Sequence, residues 1–188
     1  MSVQVAKKLF TVEEYYKMAE AGIFDEDDRV ELIHGEIIEM SPIGSPHMAC
    51  VNRLTSLLKH LPAEAGILSI QNPVGIDDFS EPEPDVAVLK FRKDFYQEHK
   101  PMPKDVLLVI EVADTSVERD RKVKIPLYAF AGIPEAWLVD LHQKSITVFK
   151  HPKDGGYLQS IEYQLGSTIQ CSTVERLSVA VSDVIWTK

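Results

Sequence analysis

The chain's 188 residues, 45% hydrophobic and 26% charged, supply enough apolar surface for one well-buried core, so a single domain over residues 1–188 is expected. A net charge of −9 disfavours nonspecific coating of nucleic acid or of an anionic membrane, leaving Arg119, Arg121, Lys122 and Lys124 as the candidate local basic surface. No stretch approaches the roughly 20 apolar residues that span a bilayer, and Cys50 and Cys171 are too isolated for a disulfide framework, so a reduced, cytoplasmic setting is expected.

Thr11 followed three residues later by Glu14 has the form of a capping box, which predicts a helix over 11–21, ended by Gly22. The alternating run "RVELIHGEIIEM" predicts a β-hairpin turning at His34-Gly35. In "SPHMACVNRLTSLLKHL" the apolar residues Met48, Val51, Leu54, Leu57, Leu58 and Leu61 recur at helical spacing, with Ser45 as cap and Pro46 in the first turn. A β-rich run covers 67–76, and the acidic "DDFSEPEP" reads as a solvated loop holding Glu81 and Glu83. "DVAVL", "DVLLVIEV" and "EAWLVDL" read as strands, the last two apolar enough for a sheet covered on both faces. Between those two, residues 116–131 have helical character, with Val123, Leu127, Phe130 and Ala131 on one stripe and Gly132 as the stop. Alternating runs with a Gly155-Gly156 turn extend the sheet toward the C-terminus. The resulting order predicts an α/β (α+β) fold with a central mixed sheet flanked by helices.

Glu111 is the anomaly, because every neighbour from Val106 to Val112 is apolar. Burying a carboxylate costs several kcal/mol unless a cation, a metal or strong donors meet it, so Glu111 either reaches solvent at the strand's end or belongs to a site. Asp85 opens another β-run directly after Pro84, so two strands can bring carboxylates to one point, and paired hard oxygens suit Mg²⁺. At about 100° per residue, Asp120, Lys124 and Tyr128 share the core edge of the following helix while Glu118 and Lys122 point outward. Asp120 and Lys124 are then either an ordinary surface pair or part of the Glu111 site.

Pro84-Asp85, a spacer and a buried Glu111 together resemble the PD-(D/E)XK nuclease superfamily, except that Ala113 stands where its lysine usually does. The stretch "EVADTSVERDRKVKIPLYAFAGIPEAWLVD" resembles the restriction endonuclease family called Uma-two. That family's pattern falls on Glu111, Val112, Ser116, Asp120, Lys124, Tyr128, Gly132, Glu135 and Trp137, and its opening on Glu31, Gly35 and His47. The resemblance implies a restriction-endonuclease-like fold and phosphodiester hydrolysis with Mg²⁺ or Mn²⁺. Asp85, Glu111 and the Val112 carbonyl would hold the metal, Lys124 would act on water or phosphate, and Asp120 would position Lys124. Glu31 would bind a second metal or serve only the hairpin. His47 would meet substrate phosphate or solvent, and Tyr128 substrate or the helix edge. The implied partner is nucleic acid, and a homodimer follows by analogy.

The expected partner is therefore DNA, with no membrane and no organic cofactor called for. Three functions stay open on the sequence: a metal-dependent endonuclease, a catalytically silent nuclease-fold module that binds nucleic acid or a protein, and a structural dimerisation domain. Pro126 is the obstacle to the first, because it falls two residues after Lys124 and crowds the carbonyl of Lys122 in an α-helix.

Overall fold

A computed structural model describes residues 6–25 and 27–186. Helix α1 (Val12–Glu20) starts at the expected capping box: the Glu14 amide donates to Thr11 Oγ1 at 3.1 Å and the Thr11 amide to Glu14 Oε2 at 2.9 Å. Strands β1 (Val30–Ile33) and β2 (Glu36–Glu39) form the expected hairpin. His34 (φ 52°) and Gly35 (φ 74°) both take the left-handed conformation that a tight hairpin turn requires. Gly35 is needed twice, because a Cβ there would also lie 2.7 Å from Leu9 Cβ. In α2 (Ser45–Leu58) the cap position belongs to Gly44 and not to Ser45, which is already helical. Cys50, Val51, Leu54 and Leu58 form its buried stripe, while Met48 is exposed.

The central sheet has the strand order β3-β4-β5-β6-β7-β8, comprising β3 (Ile67–Ile70), β4 (Val86–Leu89), β5 (Val106–Ala113), β6 (Glu135–Asp140), β7 (Ser145–Lys153) and β8 (Gly156–Gln164). Only β5 and β6 run parallel, so the sheet is mixed as expected. The run predicted over 67–76 stops as a strand at Ile70, because Gln71 (φ 49°) turns the chain and Pro73 follows. Val86, Val88, Leu108, Ile110 and Val112 point to one face, against α2 and the C-terminal β9 (Thr168–Gln170), β10 (Ser178–Ala180) and α5 (Val181–Val184). Ala87, Leu89, Val109 and Ala113 point to the other, which the β5–β6 crossover and the N-terminal hairpin cover. Among the described residues no helix is long and apolar enough to cross a membrane.

The crossover is a helix of mixed winding: α3 (Val117–Arg119), a π-helical turn (Asp120–Lys124) and α4 (Ile125–Phe130). The Ile125 amide donates to the Asp120 carbonyl, five residues back. That wider turn is how Pro126 is accommodated, since the ring no longer has to stack on a carbonyl four residues earlier. The expected stripe is also rotated. Ile125, Leu127, Tyr128 and Ala129 are buried, whereas Phe130 is 72% exposed. Burial centres on Tyr128, and Phe130 lies about 200° around the helix from it.

Candidate active site

Glu111 shares the crossover face with Val109 and Ala113, and is sealed from bulk solvent. Val86 pairs with Ile110, so Asp85 stands just beyond the last paired residue of β4, where the Val112 amide has no strand partner. Asp85 Oδ2 takes that amide at 2.9 Å and His47 Nε2, from the first turn of α2, at 3.0 Å. Gln71 Nε2 reaches Oδ1 at 3.3 Å. Burial alone would raise the Asp85 carboxyl, but the His47 contact, the Val112 amide and Lys124 outweigh it and hold the group below its ordinary value.

Lys124 occupies the end of the π turn and is almost fully buried. Its Nζ lies 2.9 Å from Glu111 Oε1, 3.2 Å from Glu31 Oε2 and 3.2 Å from the Glu83 carbonyl. Burial opposes its charge, yet Glu111 and Glu31 hold it protonated, above the ordinary lysine value. Glu31 Oε2 also accepts the Glu83 amide at 3.1 Å, which ties the hairpin to the segment leading into Asp85. Tyr128 donates to Glu111 Oε1 at 2.5 Å. Burial, followed by the charges of Asp85 and Asp120, pushes the Glu111 carboxyl up to about 8 despite Lys124. Asp120 accepts from Ser116 Oγ at 2.5 Å, and burial raises its carboxyl as well.

Asp85, Glu111, Val112, Asp120, Lys124 and His47 all line one cleft of about 140 Å³. Two of the expected residues do not. Glu31 lies behind Lys124 with no exposed side-chain surface, and its Oε1 is buried without a partner among the described residues. Tyr128, expected at the substrate, has no exposed surface at all; its hydroxyl is spent on Glu111. The expected basic cluster also separates. Lys122 pairs on the surface with Glu118 at 2.5 Å, Arg121 turns toward Thr147, Lys124 is buried, and Arg119 alone of the four joins Lys124 at the cleft. Nor is the acidic loop simply solvated, because buried Glu81 binds Lys100 Nζ at 2.8 Å and Glu83 is half-buried.

Residues 12–182 match the model of the Uma2 family, described as "Putative restriction endonuclease". The chain belongs to the Uma2 family. A crystal structure from Anabaena variabilis ATCC 29413, described as a "putative nuclease belonging to DUF820", superposes with a TM-score of 0.70. The similarity covers 93% of this chain and 97% of that one at 18% identity, and establishes the shared fold. No curated protein matches the chain.

The donor set of this Uma2 chain suits a hard divalent cation. Glu31, Asp85, Glu111 and Asp120 are buried together; Lys124 meets Glu31 and Glu111, His47 meets Asp85, and Arg119 Nε stands 3.7 Å from Asp120, so the acids outnumber the permanent cations and a divalent cation would offset the difference. Glu111 lines the cleft, and among the described residues its Oε2 accepts no hydrogen bond, Tyr128 and Lys124 both meeting Oε1. In a strand the amide and carbonyl of one residue point to the same edge, so the Val112 carbonyl is directed toward Asp85 along with its amide. Among the described residues no group of three or more His, Cys, Asp or Glu side chains surrounds a ready-made ion site. Two carboxylates and a carbonyl, completed by water and phosphate, meet the requirement of Mg²⁺. Sequence reasoning missed Gln71 and the two backbone groups of Glu83, for which no residue pattern exists.

Proposed function

We propose that the chain is an endonuclease that hydrolyses phosphodiester bonds in DNA with the help of Mg²⁺ or Mn²⁺. The observation that carries this reading is the 2.9 Å contact between Lys124 Nζ and Glu111 Oε1 at the floor of the cleft that Asp85 also lines. A nuclease of this kind needs two acids and a lysine at one point, and here the lysine reaches it from the crossover helix.

Asp85, Glu111 and the Val112 carbonyl would hold the metal, which would supply polarisation of the phosphoryl oxygen and acidification of water. His47, the Val112 amide and Gln71 fix the Asp85 carboxylate in place. Lys124 presents a protonated amine to the attacking water and to the charge that grows on phosphate. Glu31 positions Lys124, opposing the pull of Glu111, and the Glu83 carbonyl supports it from a third direction. Asp120 acts on Lys124 through its charge, with Ser116 as its hydrogen-bond partner. Tyr128 orients Glu111 from beneath. Cutting both strands of a duplex takes two cuts, and by analogy with nucleases that pair to make them the active species would be a homodimer.

The test is incubation of plasmid and single-stranded DNA with Mg²⁺ or Mn²⁺ and wild type, Glu111→Ala or Lys124→Ala protein. Nicking by the wild type and loss of nicking in both variants is expected. Equal nicking by all three would sink the reading.

A further inference from the structure

The same cleft raises an electrostatic difficulty for any nucleic-acid substrate. The chain carries a net charge of −9, and the cleft itself is rich in carboxylates. Lys124 cannot attract a phosphate from a distance, because Glu111 and Glu31 already engage it below the surface. Two guanidinium groups line the cleft, those of Arg29 and Arg119. Both are tethered to one segment, the end of β2 and the connection that leads from it to α2. Arg29 Nη1 donates to the Ser41 carbonyl at 3.5 Å, and Arg119 Nη1 to the Glu39 carbonyl at 3.2 Å.

Each tether uses one of the five donors of a guanidinium and leaves the rest of the fork. Among the described residues Arg119 Nε is buried without a hydrogen-bond partner, and its nearest carboxylate oxygen, Asp120 Oδ1, is 3.7 Å away. Leaving a buried charged donor unsatisfied is costly, and an arginine fork held in place suits the paired oxygens of a phosphate.

Resting on the nuclease reading, we propose that Arg29 and Arg119 form a phosphate-binding subsite, gripping a backbone phosphate of the nucleic-acid strand next to the one that is cut. Binding there sets the strand's register over Asp85 and Glu111 without reading its sequence. Arg121 and Lys122, which lie close by in sequence but point elsewhere, take no part.

The test compares cleavage of labelled DNA by wild type, Arg29→Ala, Arg119→Ala, Arg119→Lys and Arg121→Ala in Mg²⁺ across a salt series. Arg29→Ala and Arg119→Ala are expected to raise KM about tenfold with little change in kcat, and to reduce the log–log salt slope by about one per lost duplex phosphate contact. Arg119→Lys should recover the slope and part of the affinity, and Arg121→Ala should match wild type. An arginine that only braced the β2–α2 connection would lower thermal stability without moving the salt slope. Wild-type KM and slope in both alanine variants, alongside an active wild type, overturn this inference alone. Absence of cleavage by the wild type overturns the nuclease reading and this subsite with it. Should Arg119→Ala fail to fold, Arg29→Ala and Arg119→Lys decide the matter.

Discussion

Glu111 on β5 and Glu135 on β6 stand on adjacent parallel strands, both sealed from solvent, yet the molecule treats them differently. Every oxygen of Glu135 is spoken for. Its Oε1 accepts Trp137 Nε1 at 2.7 Å with Lys150 Nζ at 3.6 Å, and its Oε2 accepts the Ser172 amide at 2.8 Å and the Ser172 hydroxyl. Those bonds fasten the segment after β9 onto the sheet. Around Glu111, by contrast, one ammonium serves both Glu111 and Glu31, Glu31 Oε1 has no partner among the described residues, and Glu111 lines a cleft. Burial of a carboxylate therefore does not by itself mark a site. What separates the two is an unbalanced charge and an oxygen left over, the pattern on which the proposed metal site rests.

The comparison breaks most sharply by removing the cation at one site and the acid at the other. Lys124→Ala is expected to lower the cleavage rate by about 10²–10³-fold, measured on plasmid under saturating Mg²⁺. Glu135→Ala should instead cost on the order of 3–5 kcal/mol of stability, because it strands Trp137, Ser172 and Lys150. Urea unfolding reads that loss, and the rate per folded molecule should stay at the wild-type level. A Glu135→Ala protein that is stable but inactive would erase the distinction.

A smaller effect is expected at Pro126, which bears on Lys124 through the winding of the crossover helix. The proline excludes regular α-helical winding and so favours the π turn that ends at Lys124. Pro126→Ala restores the backbone donor and lets the helix relax, which should shift Lys124 and cost about tenfold in rate, since misplacement by 1 Å can cost up to about 10²-fold. Thermal unfolding should show stability kept or raised. Full activity in this variant would show that the π turn does not place the lysine.

Much of the architecture was legible in the residues. Thr11 with Glu14, the His34-Gly35 turn and the apolar runs around Glu111 and Trp137 each state a local preference that the fold obeys. The acids and the lysine were legible because a buried charge at a fixed helical angle has few places to go. The π turn was not, since a widened turn changes hydrogen-bond partners without changing composition, and Pro126 looked only like an obstacle. The supports given by the Glu83 amide and carbonyl were invisible for a related reason: every residue carries those groups, and tertiary packing alone selects them.

The smallest expected change concerns a single proton. The Glu111 carboxyl is raised from an ordinary value of about 4.5 to about 8, chiefly by burial. Between those values the folded chain holds a proton that the unfolded chain has released. The group's contribution to stability is therefore complete below pH 4.5 and is lost as pH rises through 8, with a slope of at most about 1.4 kcal/mol per pH unit. The same ionisation makes Glu111 an oxygen donor, so cleavage should climb with pH, and because a cation would compete with the proton, raising Mg²⁺ should draw the midpoint below 8. Tyr128 donates to the carboxylate and favours its charged form. Tyr128→Phe should thus move the midpoint of the pH–rate profile upward by less than about one unit, the equivalent of one hydrogen bond. A midpoint that stays put or falls would mean that Glu111 is not the group whose proton limits the reaction, and that its likeness to Glu135 is closer than its surroundings suggest.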